Sequence, residues 1–296
     1  MSFDLYFAGI QALELDEYLS SKNCHRLFSY ADKPKKRLQM FHDCQSKIFM
    51  DSGAYGVAHS GKEITLDEYI NFINETPRVN LFACLDVIPW PTLTVETSNQ
   101  SAEQSWNNYV YMIEKVKPEY RDKIVPTYHY GENFKYLRRM LQGHEGYKPP
   151  YIAFGGRGGV HTNKLYESLT EFFNVIKQER PDVKTHAFGI TVLKLLETYP
   201  FTSADSTSWI MIGANGNILT PFGLVTVSDS QQHLKNHISN NLGEKQLNKY
   251  LQSIGIELEL VRTDYKYRML VNLIYLKNWA DNYVYKGSSI NRKKLF

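Results

Sequence analysis

The sequence predicts an α/β fold, a (β/α)8 TIM-type barrel with a C-terminal helical extension. Short apolar runs that resemble buried strands alternate with helical patterns along most of the 296 residues. Strands that read as continuous hydrophobic runs between helices are typical of a parallel sheet covered on both faces. Because eight such runs occur, a closed barrel is favoured over the alternative, an open doubly wound sheet.

The predicted strands lie at residues 3–10, 47–51, 81–86, 124–130, 151–155, 185–190, 201–205 and 209–212. Two of the intervening helices have clear sequence signals. Thr65 and Glu68 have the spacing of a capping box ahead of an apolar helix face. A later helix ends before Pro181 and has one apolar face, made by Leu165, Leu169, Phe172, Phe173 and Ile176.

The pattern changes after residue 212. Residues 213–217 form a turn signal between apolar runs, and residues 218–227 resume as strand-like sequence, so we expect a hairpin here. Beyond Ser228 the pattern is helical, around residues 247–254 and again from about residue 264 to 283. We therefore predict a barrel with an inserted hairpin over residues 1–228 and helices packed on it over residues 229–296.

Composition excludes several classes of protein. The chain is 43% hydrophobic and 22% charged, which suits a globular fold, and it has no run of about 18 apolar residues that could cross a membrane. The N-terminal residues lack a basic region and a cleavage site, so we expect a cytoplasmic location. Cys24, Cys44 and Cys84 form no CxxC pair and no zinc set with nearby histidines, so we expect free thiols and no metal.

Charge alone does not indicate a nucleic-acid-binding protein, because the net charge is only +3. Basic residues do cluster at residues 33–37 and 292–294. Such a cluster is usually a solvated face. The alternative is contact with phosphates, which releases counterions and strengthens binding to a polyanion.

Acidic residues end three of the predicted strands. Asp51, Asp86 and Asp205 each follow an apolar run. In an α/β barrel the carboxyl ends of the strands form the edge where active sites are built. We therefore expect the three carboxylates to belong to one site.

The other strand ends carry a recognisable series of motifs. Residues 51–55 read Asp-Ser-Gly-Ala-Tyr, His129 ends the fourth predicted strand, and Gly155-Gly156-Arg157 follows the fifth. Phe188-Gly189 ends the sixth, and residues 204–209 read Ala-Asp-Ser-Thr-Ser-Trp after the seventh. In this order the chain resembles the tRNA-guanine transglycosylase superfamily between about residue 51 and residue 209.

The sequence departs from that superfamily in three places. Its zinc-binding Cys/His set is missing, because no cysteine follows Cys84. His129 stands where the family usually has Gln, and Arg157 replaces a small apolar residue. This compact form without the zinc set resembles the phage branch, the DpdA-type DNA-guanine transglycosylases, which exchange guanine in DNA for a 7-deazaguanine.

The resemblance implies an enzyme, a zinc-independent base-exchange transferase without a cofactor. Its partners would be guanine-containing DNA and a 7-deazaguanine base such as preQ0 or a derivative, in the host cytoplasm if the chain is phage-encoded. A protein partner stays an open question. The alternatives are the same chemistry on tRNA, a non-catalytic barrel that binds a deazaguanine or a nucleic acid, and an unrelated barrel glycosidase.

Each matching residue receives a role from the chemistry and the resemblance. Asp205 is the carboxylate nucleophile and Asp51 the acid and base, since base exchange needs a partner for the anomeric carbon. Asp86 and His129 would read the base edge, and Tyr55 and Phe188 would stack on its faces. Gly155 and Gly156 would allow backbone N–H groups to approach the base. The cations that would bind the nucleic acid are Lys35, Lys36, Arg37, Arg157 and Lys293.

Each of these residues also has an ordinary structural alternative. Asp205 could cap the helix that follows it, Asp51 could belong to a common turn, and Asp86 could simply terminate a strand. Tyr55 and Phe188 could be core aromatic residues. His129 could be a buried structural histidine.

Overall fold

The structure, a computed structural model, describes residues 3–9, 13–32, 45–54, 56, 63–88, 94–156, 159–234, 237–238 and 243–287. Several predicted residues lie outside this part of the chain: Lys35, Lys36, Arg37, Tyr55, Arg157 and Lys293. Cys44 also lies outside it, whereas Cys24 and Cys84 are buried and form no disulfide among the described residues.

Parallel strands form a nearly closed barrel. They are β1 Asp4–Ala8, β2 His25–Ser29, β3 Ile48–Asp51, β4 Leu81–Ala83, β5 Ile124–Val125, β6 Thr127–His129, β7 Tyr151–Gly155, β8 Lys184–Phe188 and β9 Ser203–Ser206. Their order in the sheet is β5-β4-β3-β2-β1-β9-β8-β7-β6.

Pro126 explains why eight barrel positions hold nine strands. It separates β5 from β6 within one extended segment, because proline has no N–H for the ladder. Yet the Pro126 carbonyl still accepts from Ala153 N at 2.8 Å, and the Val125 carbonyl accepts from Cys84 N at 2.9 Å. One segment thus pairs with β4 on one side and β7 on the other. The predicted (β/α)8 barrel is confirmed.

The strand prediction contains one omission and one false strand, so the predicted number of eight strands still equals the number of barrel positions. β2 was missed because it contains polar residues, and its burial alternates instead of being continuous. Residues 209–212 belong to a helix, Ser208–Ala214, not to an eighth strand. A short apolar run does not distinguish a buried helix from a strand, and here the Trp209 indole donates to the Ala8 carbonyl at 3.0 Å.

Helices connect the strands and form the C-terminal region. They are α1 Leu13–Ser21, α2 Leu66–Glu75, α3 Val95–Lys115, α4 Phe134–Gln142, α5 Thr162–Glu179, α6 Leu193–Thr198, α7 Ser208–Ala214, α8 Glu244–Ser253, α9 Leu258–Thr263 and α10 Tyr265–Asp281. The capping box is confirmed, since Thr65 Oγ1 accepts from Glu68 N and Glu68 Oε2 accepts from Thr65 N. Among the described residues, no helix has the length and apolar character needed to span a membrane.

The chain divides into two compact units. The first comprises Met1–Tyr6, His25–Asp205 and Val284–Phe296 and contains most of the barrel. Its interior is filled by inward-facing side chains from successive strands: Tyr6, Phe49, Ala83, Val125, Tyr151 and Ala153. This packed interior supports the strand ends described below.

The second unit comprises Phe7–Cys24 and Ser206–Tyr283. It has its own core, which includes Ile218, Leu247, Leu251, Val261 and Val271. A hairpin is present, as β10 Asn217–Thr220 and β11 Gly223–Thr226, but its turn falls at residues 221–222 and not at the predicted 213–217. The predicted boundary at residue 228 stays a prediction.

Candidate active site

The predicted site residues that the structure describes lie at one edge of the barrel. Asp51, His129, Gly155 and Phe188 are the last residues of β3, β6, β7 and β8, and Asp205 lies in β9. The strand register places His129 beside Gly155 and Gly155 beside Phe188. Carboxyl ends of parallel strands meet at the same edge, so these side chains share one level of the barrel.

The first feature of this edge is a chain of three ionisable side chains. His129 Nε2 lies 3.5 Å from Asp86 Oδ2, and His129 Nδ1 lies 2.9 Å from Glu132 Oε1. The side chains of Asp86 and Glu132 are only 8% and 3% exposed. The imidazole therefore joins two buried carboxylates.

Sequence reasoning missed Glu132. It follows the end of β6 by three residues, and two hydrogen bonds fix its loop. The Glu132 N–H donates to the His129 carbonyl at 3.1 Å, and the Tyr128 hydroxyl donates to the Glu132 carbonyl at 2.6 Å. The only signal in the sequence was an acid near a strand-end histidine, which is common in loops.

The pKa shifts of this chain follow from burial and from its charges. Burial raises the pKa of Asp86 to about 6, and the charge of His129 opposes that rise. Burial lowers the pKa of His129, but the Glu132 carboxylate outweighs it and, with Asp86, raises the His129 pKa to about 9. At neutral pH the chain thus holds an imidazolium between two carboxylates.

Two oxygens of this chain, Asp86 Oδ1 and Glu132 Oε2, are buried and have no hydrogen-bond partner at ordinary distance among the described residues. Asp86 also lies near the Thr127 hydroxyl and the Cys84 thiol, which lower its pKa. Buried polar atoms are nearly always paired, so an unpaired one at a barrel edge favours a bound donor. Both nitrogens of His129, in contrast, already face carboxylates. The predicted hydrogen bond from His129 to a purine carbonyl would have to replace one of these contacts, and it stays a prediction.

Gly155 makes room for the imidazole. A Cβ atom at this position would lie 2.6 Å from His129 Cδ2. Gly156 donates its N–H to the Phe188 carbonyl at 2.7 Å, within the barrel. The predicted approach of the Gly156 N–H to a base would require that bond to open, and it also stays a prediction.

The second feature is Asp205, which lies above a buried histidine. His186 Nε2 is 3.5 Å from Asp205 Oδ1, and the side chains are 0% and 14% exposed respectively. Burial lowers the pKa of His186, and Asp205 only partly opposes this, so the imidazole is neutral at neutral pH. Sequence reasoning assigned no role to His186.

Asp51 and Phe188 complete the described part of the edge. Asp51 Oδ2 accepts from Gly53 N at 3.1 Å, and Gly53 has φ +82°, a conformation that favours glycine. Phe188 is partly buried against Phe49 and His186, with ring centroids 5.3 Å and 4.3 Å away. Both residues therefore have the structural roles given above as alternatives, a turn for Asp51 and aromatic packing for Phe188. Both also stay partly exposed.

In the described part of the chain, no group of three or more His, Cys, Asp and Glu side chains is arranged to hold a metal ion. No protein-family model matches the chain, and no curated protein matches it either. The resemblance to the transglycosylases consequently depends on the strand-end residues themselves.

Proposed function

We propose that this chain is a DNA-guanine transglycosylase, which exchanges guanine in DNA for a 7-deazaguanine base. The observation that carries the proposal is the presence of Asp51, Asp86 and Asp205 at one edge of a single barrel. Burying a carboxylate costs free energy unless it is paired and hydrogen-bonded. Asp86 and Asp205 each keep a buried oxygen without a hydrogen-bond partner among the described residues.

The reaction needs a nucleophile and a group that moves one proton. A carboxylate oxygen of Asp205 bonds to C1′ of the deoxyribose, the C1′–N9 bond breaks, and its electron pair leaves with guanine. Asp51 supplies the proton that guanine takes up at N9. Asp51 then removes the N9 proton of the incoming base, which attacks C1′ and releases Asp205. The phosphodiester backbone stays intact throughout.

Asp86 suits recognition of the base. The Watson–Crick edge of guanine presents two N–H donors, at N1 and N2, and an ionised carboxylate only accepts. The unpaired Oδ1 of Asp86 and its partner Oδ2 can accept one each. His129 contacts this carboxylate at Oδ2, and Glu132 holds the imidazole through Nδ1.

DNA is the proposed polymer because the chain lacks the zinc-binding cysteines of the tRNA enzymes. The second candidate is the same exchange on tRNA. On duplex DNA the target nucleotide must leave the stack, at a cost of a few kcal/mol. The third candidate, a barrel that only binds a deazaguanine, gives no reason to keep Asp205 at the edge.

The test is incorporation of radiolabelled guanine into duplex DNA, in competition with a guanine-containing tRNA anticodon stem. We expect faster labelling of DNA, and a loss of at least about a thousandfold in Asp205→Ala. Asp182→Ala is the matched control, because this carboxylate is 77% exposed and remote from the edge in sequence. Faster labelling of RNA would refute the choice of DNA, and full activity of Asp205→Ala would refute the nucleophile. Labelling of neither polymer would favour the binding barrel.

A further inference from the structure

A second hydrogen-bonded chain lies in the barrel interior beneath Asp205. The Tyr151 hydroxyl and the Ser203 hydroxyl are 2.6 Å apart, and Ser203 Oγ is also 2.6 Å from His186 Nδ1. His186 Nε2 then faces Asp205 Oδ1 at 3.5 Å. Three adjacent strands, β7, β8 and β9, supply these four residues.

The His186 ring is surrounded by aromatic side chains, and its Nε2 faces Asp205. Its ring packs against Tyr6, Phe49 and Phe188, at centroid distances of 6.0, 4.6 and 4.3 Å. Neither His186 Nε2 nor Asp205 Oδ1 has a hydrogen-bond partner at ordinary distance among the described residues, and the two atoms lie 3.5 Å apart. One proton between these two buried atoms would give each of them a hydrogen-bond partner.

The direction of the chain follows from counting protons. The Ser203 hydroxyl has one proton and so can donate to only one neighbour. If Tyr151 donates to Ser203 and Ser203 donates to His186 Nδ1, then Nε2 carries the imidazole proton and points it at Asp205. The reverse order would leave the Nε2 lone pair against a carboxylate oxygen, which is repulsive.

We propose that His186 is a positioning residue for Asp205, held by Tyr151 and Ser203 in the tautomer that donates from Nε2 to Asp205 Oδ1. This inference rests on the proposed function only for its catalytic consequence. A neutral donor fixes one carboxylate oxygen and leaves the carboxylate charged, so Oδ2 stays free to attack the anomeric carbon. His186 itself lies below the edge and does not contact the substrate.

The first experiment does not depend on activity. Long-range ¹H–¹⁵N correlation spectra of ¹⁵N-histidine-labelled protein distinguish the two imidazole tautomers, with His186→Gln identifying the signal. We expect a protonated Nε2 and a bare Nδ1 in the wild type, and a mixture of tautomers in Ser203→Ala. A protonated Nδ1 in the wild type, or an imidazolium, would overturn the proposal.

The second experiment separates positioning from a structural role. His186→Phe keeps a ring in the aromatic pocket but has no donor, and we expect kcat for base exchange to fall by about 10- to 100-fold. KM should change by less than about threefold, because His186 does not touch the substrate. His186→Gln carries an amide N–H near the position of Nε2 and should recover most of the loss. His144→Gln, at a partly exposed histidine, is the control.

The outcomes distinguish this inference from the proposed function. If the wild type exchanges bases and His186→Phe matches it, the positioning role is wrong and the function stands. Failure of Gln to rescue, with both variants folded, would also count against the donor role. If the wild type shows no exchange on DNA or RNA, the proposed function fails, and the tautomer spectra still decide whether His186 donates to Asp205.

Discussion

Replacing Gly155 by alanine should break the contact between His129 and Asp86. The added Cβ would lie 2.6 Å from His129 Cδ2, about 0.8 Å inside the 3.4 Å of ordinary van der Waals contact. The ring cannot simply rotate away, because Nδ1 is held by Glu132 at 2.9 Å. Moving it by that amount would lengthen the 3.5 Å approach to Asp86 or open the Glu132 bond.

The expected cost is that of overpacking a tight site, about 1–3 kcal/mol of unfolding free energy. A double-mutant cycle with His129→Ala isolates the cause. In that background the imidazole is absent and only Thr127 Cγ2, at 3.2 Å, remains close to the new methyl group. We expect Gly155→Ala then to cost less than about 1 kcal/mol.

Urea denaturation of the four proteins measures these free energies. The cycle should show a coupling of at least about 1 kcal/mol between the two positions. An equal cost of Gly155→Ala in both backgrounds would show that the glycine serves the backbone and not the imidazole. The φ angle of Gly155 is outside the left-handed region, so backbone strain does not confuse the comparison.

Three further predictions concern the proposed activity. Base exchange should fall below about pH 6, because protonated Asp86 can no longer accept from guanine, and above about pH 9, because His129 loses its charge. Glu132→Gln should move the alkaline limb of this pH profile to lower pH. An unmoved limb would show that another group titrates. Neutralising the basic residues at 33–37 and 292–294 should lower the slope of log affinity against log salt by about one unit per lost phosphate contact, and an unchanged slope would mean that the DNA path lies elsewhere. A chelator should leave base exchange intact, and a loss of activity that zinc restores would contradict the prediction that the cysteines form no zinc site.

The sequence was sufficient for the barrel because its strands are buried on both faces. Tyr151–Gly155 was predicted to the residue, since every position in it is apolar or glycine and buried. β2 could not be found in the same way, because three of its five residues are polar and alternate positions are only partly buried. The helix Ser208–Ala214 was misread because four consecutive apolar residues fit either element.

The candidate site was predictable only where residues stand at strand ends. Asp51, Asp86 and Asp205 follow apolar runs, so their meeting at one edge follows from the fold. Glu132 and His186 could not be assigned from the sequence, because their significance depends on distances across strands. Glu132 matters because Nδ1 of His129 is 2.9 Å away, and His186 because Asp205 lies directly above it.

His129 and His186 differ in charge near neutral pH, and this difference matches the two roles proposed for the carboxylates. His129 lies between two carboxylates, which raise its pKa to about 9, so it holds Asp86 by charge as well as by geometry. His186 lies among aromatic rings, burial lowers its pKa, and it faces one carboxylate as a neutral ring. An imidazolium beside Asp205 would stabilise its negative charge and weaken it as a nucleophile, whereas a neutral donor orients the carboxylate and leaves it reactive. A carboxylate that reads a base needs no such reactivity, and an imidazolium beside it favours its ionised form near neutral pH. Environments that separate the pKa values of similar groups in this way are how one site assigns them different functions.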